Sequence, residues 1–113
     1  MLKRPDLTVT PEMMEDIVRR IVEAFDPLQI ILFGSRARGD IKWDSDVDLL
    51  VVLPEVESKR ATRAELFDLL ADVRVPIDVV VATAHDIELA RSGRRLGTVI
   101  PPALREGSVL YER

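Results

Sequence analysis

Gly34-Ser35, ten intervening residues, and then Asp46-Val47-Asp48 at the head of an apolar run form the part of this chain best suited to chemistry. Side chains two apart on a strand share a face, so Asp46 and Asp48 point the same way and their like charges repel unless a cation sits between them. Magnesium is the simplest cation for that place. It takes hard oxygen ligands in an octahedron at ~2.0–2.1 Å and shares its shell with phosphates and water. In a site of two ions ~3.5–4 Å apart, one lowers the pKa of an attacking hydroxyl while the other steadies a departing pyrophosphate. The glycine-serine turn supplies the phosphate side. Gly34 lets the backbone come close to an anion, and Ser35 offers a hydroxyl and an N–H. Arg36 and Arg38 are candidate contacts to phosphate or to a partner, with a solvated surface charge as the alternative, since alternation lets only one of the two face the site. These features predict a nucleoside triphosphate site.

The elements that must position these residues follow in an alternating order. Thr10-Pro11 starts a helix, with Glu12, Glu15 and Asp16 near its positive end. Met14, Ile17, Val18, Ile21, Val22 and Phe25 form its apolar stripe, and Asp26-Pro27 ends it. Leu28 to Phe33 reads as a buried strand stopped by Gly34, and Asp46 to Leu53 as a second strand closed by Pro54. Ser58 to Val73 is the second main helix, and Ile77 to Ala82 a third, β-branched strand. Thr83 to Asp86 is a capping box opening a short helix up to Gly93. A helix over Thr98 to Glu106 and a strand over Val109 to Tyr111 complete the series.

Connection lengths set the topology. Twelve residues separate Phe33 from Asp46, too few for a crossover helix and ample for an antiparallel link. A long helix separates the second strand from the third, as in a parallel βαβ crossover. Asp78, near the start of the third strand, then lies level with Asp46 and Asp48. Alone it would read as an ordinary exposed strand residue; after such a crossover it becomes the third metal ligand. The fold class is α/β (α+β), a small mixed sheet with helices packed on it.

Composition narrows the partners. At 113 residues, 47% hydrophobic and 4% aromatic, the chain reads as one domain over 1–113 with an aliphatic core. It has no cysteine, which excludes disulfides and thiolate metal sites and fits a reducing cytoplasm. No stretch approaches the ~18 apolar residues of a membrane span. A net charge of −4 argues against broad binding to nucleic acid, so a polyphosphate must be met by local donors. The expectation is a cytoplasmic protein without membrane contact.

Competing explanations for the same residues are weaker. Gly34 and Gly39 fit half of a Walker loop, but Asp40-Ile41 follows where a lysine and a hydroxyl are needed. Paired acids on a strand often only keep an edge soluble, yet here they follow a phosphate-type turn. His85 stands at a helix start and receives no catalytic role, Trp43 packs its loop, and Asp40 and Asp44 are solvated acids.

With these residues in hand, a resemblance can be stated. The string Gly34-Ser35-Arg36-Ala37-Arg38-Gly39 followed by Ser45-Asp46-Val47-Asp48-Leu49 resembles the signature of the polymerase-β-like nucleotidyltransferase superfamily, and in particular its minimal (MNT) branch. The likeness is close over residues 30–53, and Asp78 in Pro76-Ile77-Asp78-Val79-Val80 is similar to the third carboxylate of that family. It implies a magnesium-dependent enzyme, with two ions held by Asp46, Asp48 and Asp78 and the nucleotide held by Gly34, Ser35, Arg36 and Arg38. It also implies ATP as donor and transfer of AMP to a protein hydroxyl. The partner implied is a HEPN-domain ribonuclease toxin, modified on a tyrosine and silenced, which would make the chain an antitoxin. Larger relatives carry a helical substrate domain that has no counterpart here, so a small-molecule acceptor is disfavoured. The alternative is a non-catalytic antitoxin that inhibits its toxin by stoichiometric binding.

Overall fold

The structure is a computed structural model that describes residues 10–34, 47–93 and 104–113. Helix α1 spans Pro11–Phe25 and begins as the sequence dictates: the Thr10 hydroxyl accepts the Met13 N–H at 3.1 Å, and Pro11 occupies the first turn, where no N–H is needed. Asp26 ends it in the left-handed region (φ 48°), its N–H donating to the Val22 carbonyl at 3.0 Å. Strand β1, Gln29–Phe33, follows at once. Strand β2 is Val47–Leu53, helix α2 Lys59–Leu69, strand β3 Ile77–Thr83, helix α3 Ala84–Arg91 and strand β4 Ser108–Glu112.

The strands form one mixed sheet in the order β3-β2-β1-β4. The two inner pairings run as the connection lengths require: β1 and β2 are antiparallel, with Phe33 opposite Asp48, and β2 and β3 are parallel, with Asp48 opposite Asp78. The ladder extends one step beyond β3, the Val47 N–H donating to the Pro76 carbonyl at 2.8 Å. β4 pairs antiparallel with the free side of β1, with a register shift between Ile30 and Ile31.

Alternation along β2 divides the interior into two layers. Val47, Leu49, Val51 and Leu53 pack with Ile17 and Ile21 of α1 and Leu66 of α2, all buried. Leu50 and Val52 face the other way, with Ile31, Ala82 and Ile87 of α3. The first layer is fastened by Arg20 of α1, which donates to both oxygens of Asp72 at 2.6 and 3.0 Å and to the Leu69 carbonyl at 3.3 Å. That hydrogen bond holds the Asp72 carboxyl below its usual range and raises Arg20 in turn.

β1 begins one residue later than expected, at Gln29, and β3 runs one residue further, to Thr83, while two other elements differ more. α2 stops at Leu69 rather than Val73, because the chain tightens into short turns in which Ala71 donates to the Asp68 carbonyl and Val73 to that of Leu70. β4 is two residues longer than Val109 to Tyr111. Of the helix expected over 98–106, only residues 104–106 are described, and they are helical. Among the described residues no helix is long and apolar enough to cross a membrane.

Candidate active site

Three of the sequence candidates meet where β1 ends and β2 and β3 begin. Gly34 follows the last residue of β1 with φ +79°, a conformation that side chains disfavour. Its missing side chain matters for a second reason: a Cβ built there would strike Asp48 Oδ2 and lie 3.3 Å from Asp48 Cγ. The turn and the carboxylate are therefore in direct contact, and glycine is what lets them be.

Asp48 and Asp78 are level on adjacent parallel strands and share a face of the sheet, the face of Leu50 and Ala82. Their strands are held by the hydrophobic layers behind, yet both carboxylates remain only half-buried. Such a pair offers hard oxygen ligands side by side, the donor type magnesium takes. Among the described residues no group of three or more His, Asp or Glu side chains is gathered to hold a metal. Asp46, Ser35, Arg36 and Arg38, the remaining candidates, lie outside the described residues, as do Gly39 and Trp43.

A cation that sequence reading passed over stands at this place. Arg63, on the exposed side of α2, donates from Nη2 to Asp78 Oδ1 and from Nε to the Val79 carbonyl, both at 2.8 Å. Its guanidinium lies over the Phe67 ring, 4.8 Å from the centroid. The Val79 N–H adds a third contact, donating to the same Asp78 Oδ1 at 3.0 Å. A neighbouring bridge joins Lys59 to Asp86 Oδ2 at 2.5 Å, so the start of α2 is tied to β3 and α3 by two ion pairs. Asp86 also closes the expected capping box with Thr83, accepting the Thr83 N–H at 2.9 Å. Burial pushes the Asp86 carboxyl up, but the Lys59 ammonium and the Thr83 N–H outweigh it and hold the group below its ordinary value.

Residues 13–97 match the profile of the nucleotidyltransferase domain. The chain belongs to the nucleotidyltransferase domain family. The matched region runs from α1 through α3 and so contains Gly34, Asp48, Arg63 and Asp78. No curated protein matches the sequence significantly. Solved structures do resemble this nucleotidyltransferase domain. A toxin-antitoxin crystallised with AMP-PNP superposes with a TM-score of 0.62 at 23% identity, over 88% of this chain and 73% of that one. A Sulfolobus solfataricus protein described as a nucleotidyltransferase gives 0.57 at 21%, over 90% and 82%. The MntA-HepT toxin-antitoxin gives 0.55 at 21%, over 88% and 70%. At such identities the likeness is one of fold, and the four-stranded mixed sheet with its helices is the nucleotidyltransferase fold.

A separate cavity of about 610 Å³ runs along α1 and β4, lined by Met14, Val18, Val22, Leu110 and Tyr111 among others. Neither Gly34 nor Asp48 nor Asp78 lines it, so its apolar wall is a surface apart from those residues.

Proposed function

We propose that this chain is a magnesium-dependent adenylyltransferase that moves AMP from ATP to a tyrosine of a partner HEPN-type ribonuclease and thereby acts as its antitoxin, in the cytoplasm. The observation that carries the proposal is the contact of Gly34 with Asp48, and of Asp48 with the level of Asp78, in a nucleotidyltransferase domain. Fold neighbours named as toxin-antitoxins, one of them crystallised with AMP-PNP, support the partner and the nucleotide.

The residues present suit magnesium. Asp48 and Asp78, with Asp46 two residues before Asp48, would hold it, and the metal would then supply activation of the hydroxyl and neutralisation of the leaving pyrophosphate. The chain itself does the rest. Gly34 leaves the backbone open beside Asp48, so a triphosphate can approach the carboxylates without meeting a side chain. Ser35, Arg36 and Arg38 follow in sequence to hold the phosphates. In the transfer the tyrosine oxygen bonds to the α-phosphorus, the bond to the β-phosphate oxygen breaks, and the hydroxyl proton passes to Asp78 or to water. Proximity supplies much of the rate, so the acceptor's nucleophile must be held in place, which a folded protein acceptor can do.

Binding without catalysis is favoured by one observation, the apolar wall along α1 and β4, which could seat a partner without using the aspartates. Calorimetric titration separates the two functions. Wild type is expected to bind ATP only with magnesium and Asp48→Asn to lose that binding while staying folded; equal ATP binding by both proteins removes the site from the account.

A further inference from the structure

The cavity between α1 and β4 owes its shape to two features of the chain. On α1, Met14, Val18 and Val22 stand four residues apart and form one ridge, half-buried against the first core layer. The opposite wall comes from an irregularity in the sheet. Ile30 pairs with Tyr111 and Ile31 with Val109, so Leu110 is an extra residue in β4. Regular alternation would send Leu110 and Tyr111 to opposite faces, but a bulge re-aims side chains, and here both pack on the α1 layer. Between the walls lies a trough of about 610 Å³ that reaches from Pro11 to Glu23, or ~18 Å of helix at 1.5 Å per residue. Its walls are apolar and its rim is charged. Glu15, Arg19 and Glu23 follow one another along the edge, and Arg19 is already engaged by ion pairs with Asp16 and Glu23. Glu15 has no cation beside it among the described residues, so the rim is acidic on balance.

These properties select an occupant. A second copy of this chain would set the acidic rim against itself, because a two-fold contact joins like surfaces. A strand added to β4 would have to follow a bulged edge, a kind of edge that resists pairing. A helix with basic flanks meets neither obstacle. We propose that the trough seats an amphipathic helix of a protein partner, its apolar stripe lying between the α1 ridge and the Leu110-Tyr111 pair and its flanking lysines or arginines meeting Glu15 and Glu23. The stripe gains by leaving water, and the flanking cations gain from the rim without being buried. The inference rests on the reading above that the acceptor is a protein, and deepens it by naming the surface that holds the acceptor. Gly34, Asp48 and Asp78 do not line that surface, so docking does not occupy them.

The probe is a fluorescent peptide of about 16 residues, long enough to form a helix on its own, with leucines along one face and lysines on both flanks; a second peptide carries glutamates in place of the lysines. Binding is read by anisotropy and located by ¹⁵N chemical shifts. Wild type is expected to bind the lysine peptide through α1 and β4, and the glutamate peptide about fivefold more weakly, the ratio equal to ~1 kcal/mol across an exposed rim. Val18→Asp places a charge in the middle of the ridge and is expected to weaken binding about tenfold or more. Leu110→Ser attacks the other wall and carries the test if the first variant does not fold. Glu15→Lys combined with Glu23→Lys, both at exposed positions, is expected to reverse the preference between the peptides. Calorimetry on the same proteins separates this inference from the function it rests on: peptide binding by a wild type that does not bind magnesium-ATP would defeat the adenylyltransferase function and leave the trough as a protein-binding surface. A wild-type dimer in sedimentation that Val18→Asp abolishes would assign the trough to a second copy and overturn the proposal. So would absence of peptide binding, shift changes centred away from α1 and β4, or affinities that none of these variants alters.

Discussion

Two glycines of the described chain have positive φ, and they permit a controlled experiment. Gly34 has φ +79° and Gly93 φ +85°, but a Cβ at Gly93 meets nothing within 4 Å whereas one at Gly34 meets the carboxyl of Asp48. Replacing either by alanine places a side chain in the left-handed region, at a cost of about 1–2 kcal/mol. Unfolding entropy of ~2.1 cal/mol/K per residue over 113 residues converts that into a fall in Tm of roughly 4–8 °C for each variant. Gly34→Ala has an added consequence. Asp48 sits in a strand paired on both sides, so its backbone cannot retreat and the carboxyl must rotate away. An off-rotamer side chain adds about 0.5–1.5 kcal/mol. Wild type at a hundred times its dissociation constant for magnesium-ATP gains ~2.7 kcal/mol by linkage, an upward shift of about 11 °C on the same conversion. Differential scanning fluorimetry with and without magnesium-ATP reads both effects. Gly93→Ala is expected to lose stability and keep the full ligand shift; Gly34→Ala is expected to lose stability and most of the shift. A full ligand shift in Gly34→Ala, or its loss in Gly93→Ala, would refute the role given to the contact between the turn and Asp48.

Further outcomes follow from other parts of the structure. Asp78→Asn is expected to retain ATP binding through Asp46, Asp48 and Ser35 but to slow transfer strongly, measured as kcat against KM; wild-type transfer by this variant would remove Asp78 from the site. Leu49→Ala, at a position with no exposure between the sheet and the two larger helices, is expected to cost 2–5 kcal/mol in urea unfolding, and a cost well under 1 kcal/mol would contradict the packing described. Asp86→Ala removes the capping box and the Lys59 pair and is expected to cost about 1 kcal/mol at pH 7. Because the folded Asp86 carboxyl lies below its ordinary value of 3.8, its contribution is complete above that value and lost as pH falls through the lower folded one. The gap between wild type and Asp86→Ala is therefore expected to close in acid, and a gap constant down to unfolding would show that the charge plays no part.

Much of this arrangement is written in local signals. Thr10-Pro11 and Asp26 bound α1 because a cap, a fixed φ and a left-handed residue are each properties of one or two positions. The apolar run up to Leu53 reads as a strand, and the connection lengths set which neighbour is parallel, so the level of Asp78 with Asp48 follows from spacing. Arg63 was not. It stands on an exposed helix face like Arg60, and its partner lies fifteen residues away across a crossover, where no periodicity links them. The shortened end of α2 and the register shift between Ile30 and Ile31 depend on backbone hydrogen bonds that any residue can make, so side-chain pattern carries no trace of them. The binding partners of Ser35, Arg36, Arg38 and Asp46 stand as proposals made from sequence.

Catalysis itself is tested most directly by mass. Wild-type chain is incubated with magnesium-ATP and a co-encoded HEPN-type ribonuclease, and intact-protein and peptide masses of the partner are followed beside its nuclease activity. The account predicts addition of one or more AMP units to a partner tyrosine and a matching fall in nuclease activity, both absent when Asp46→Ala and Asp48→Ala are combined. Equal inhibition by wild type and the double variant at matched concentration, with no change of mass in either, would contradict it and leave stoichiometric binding as the function.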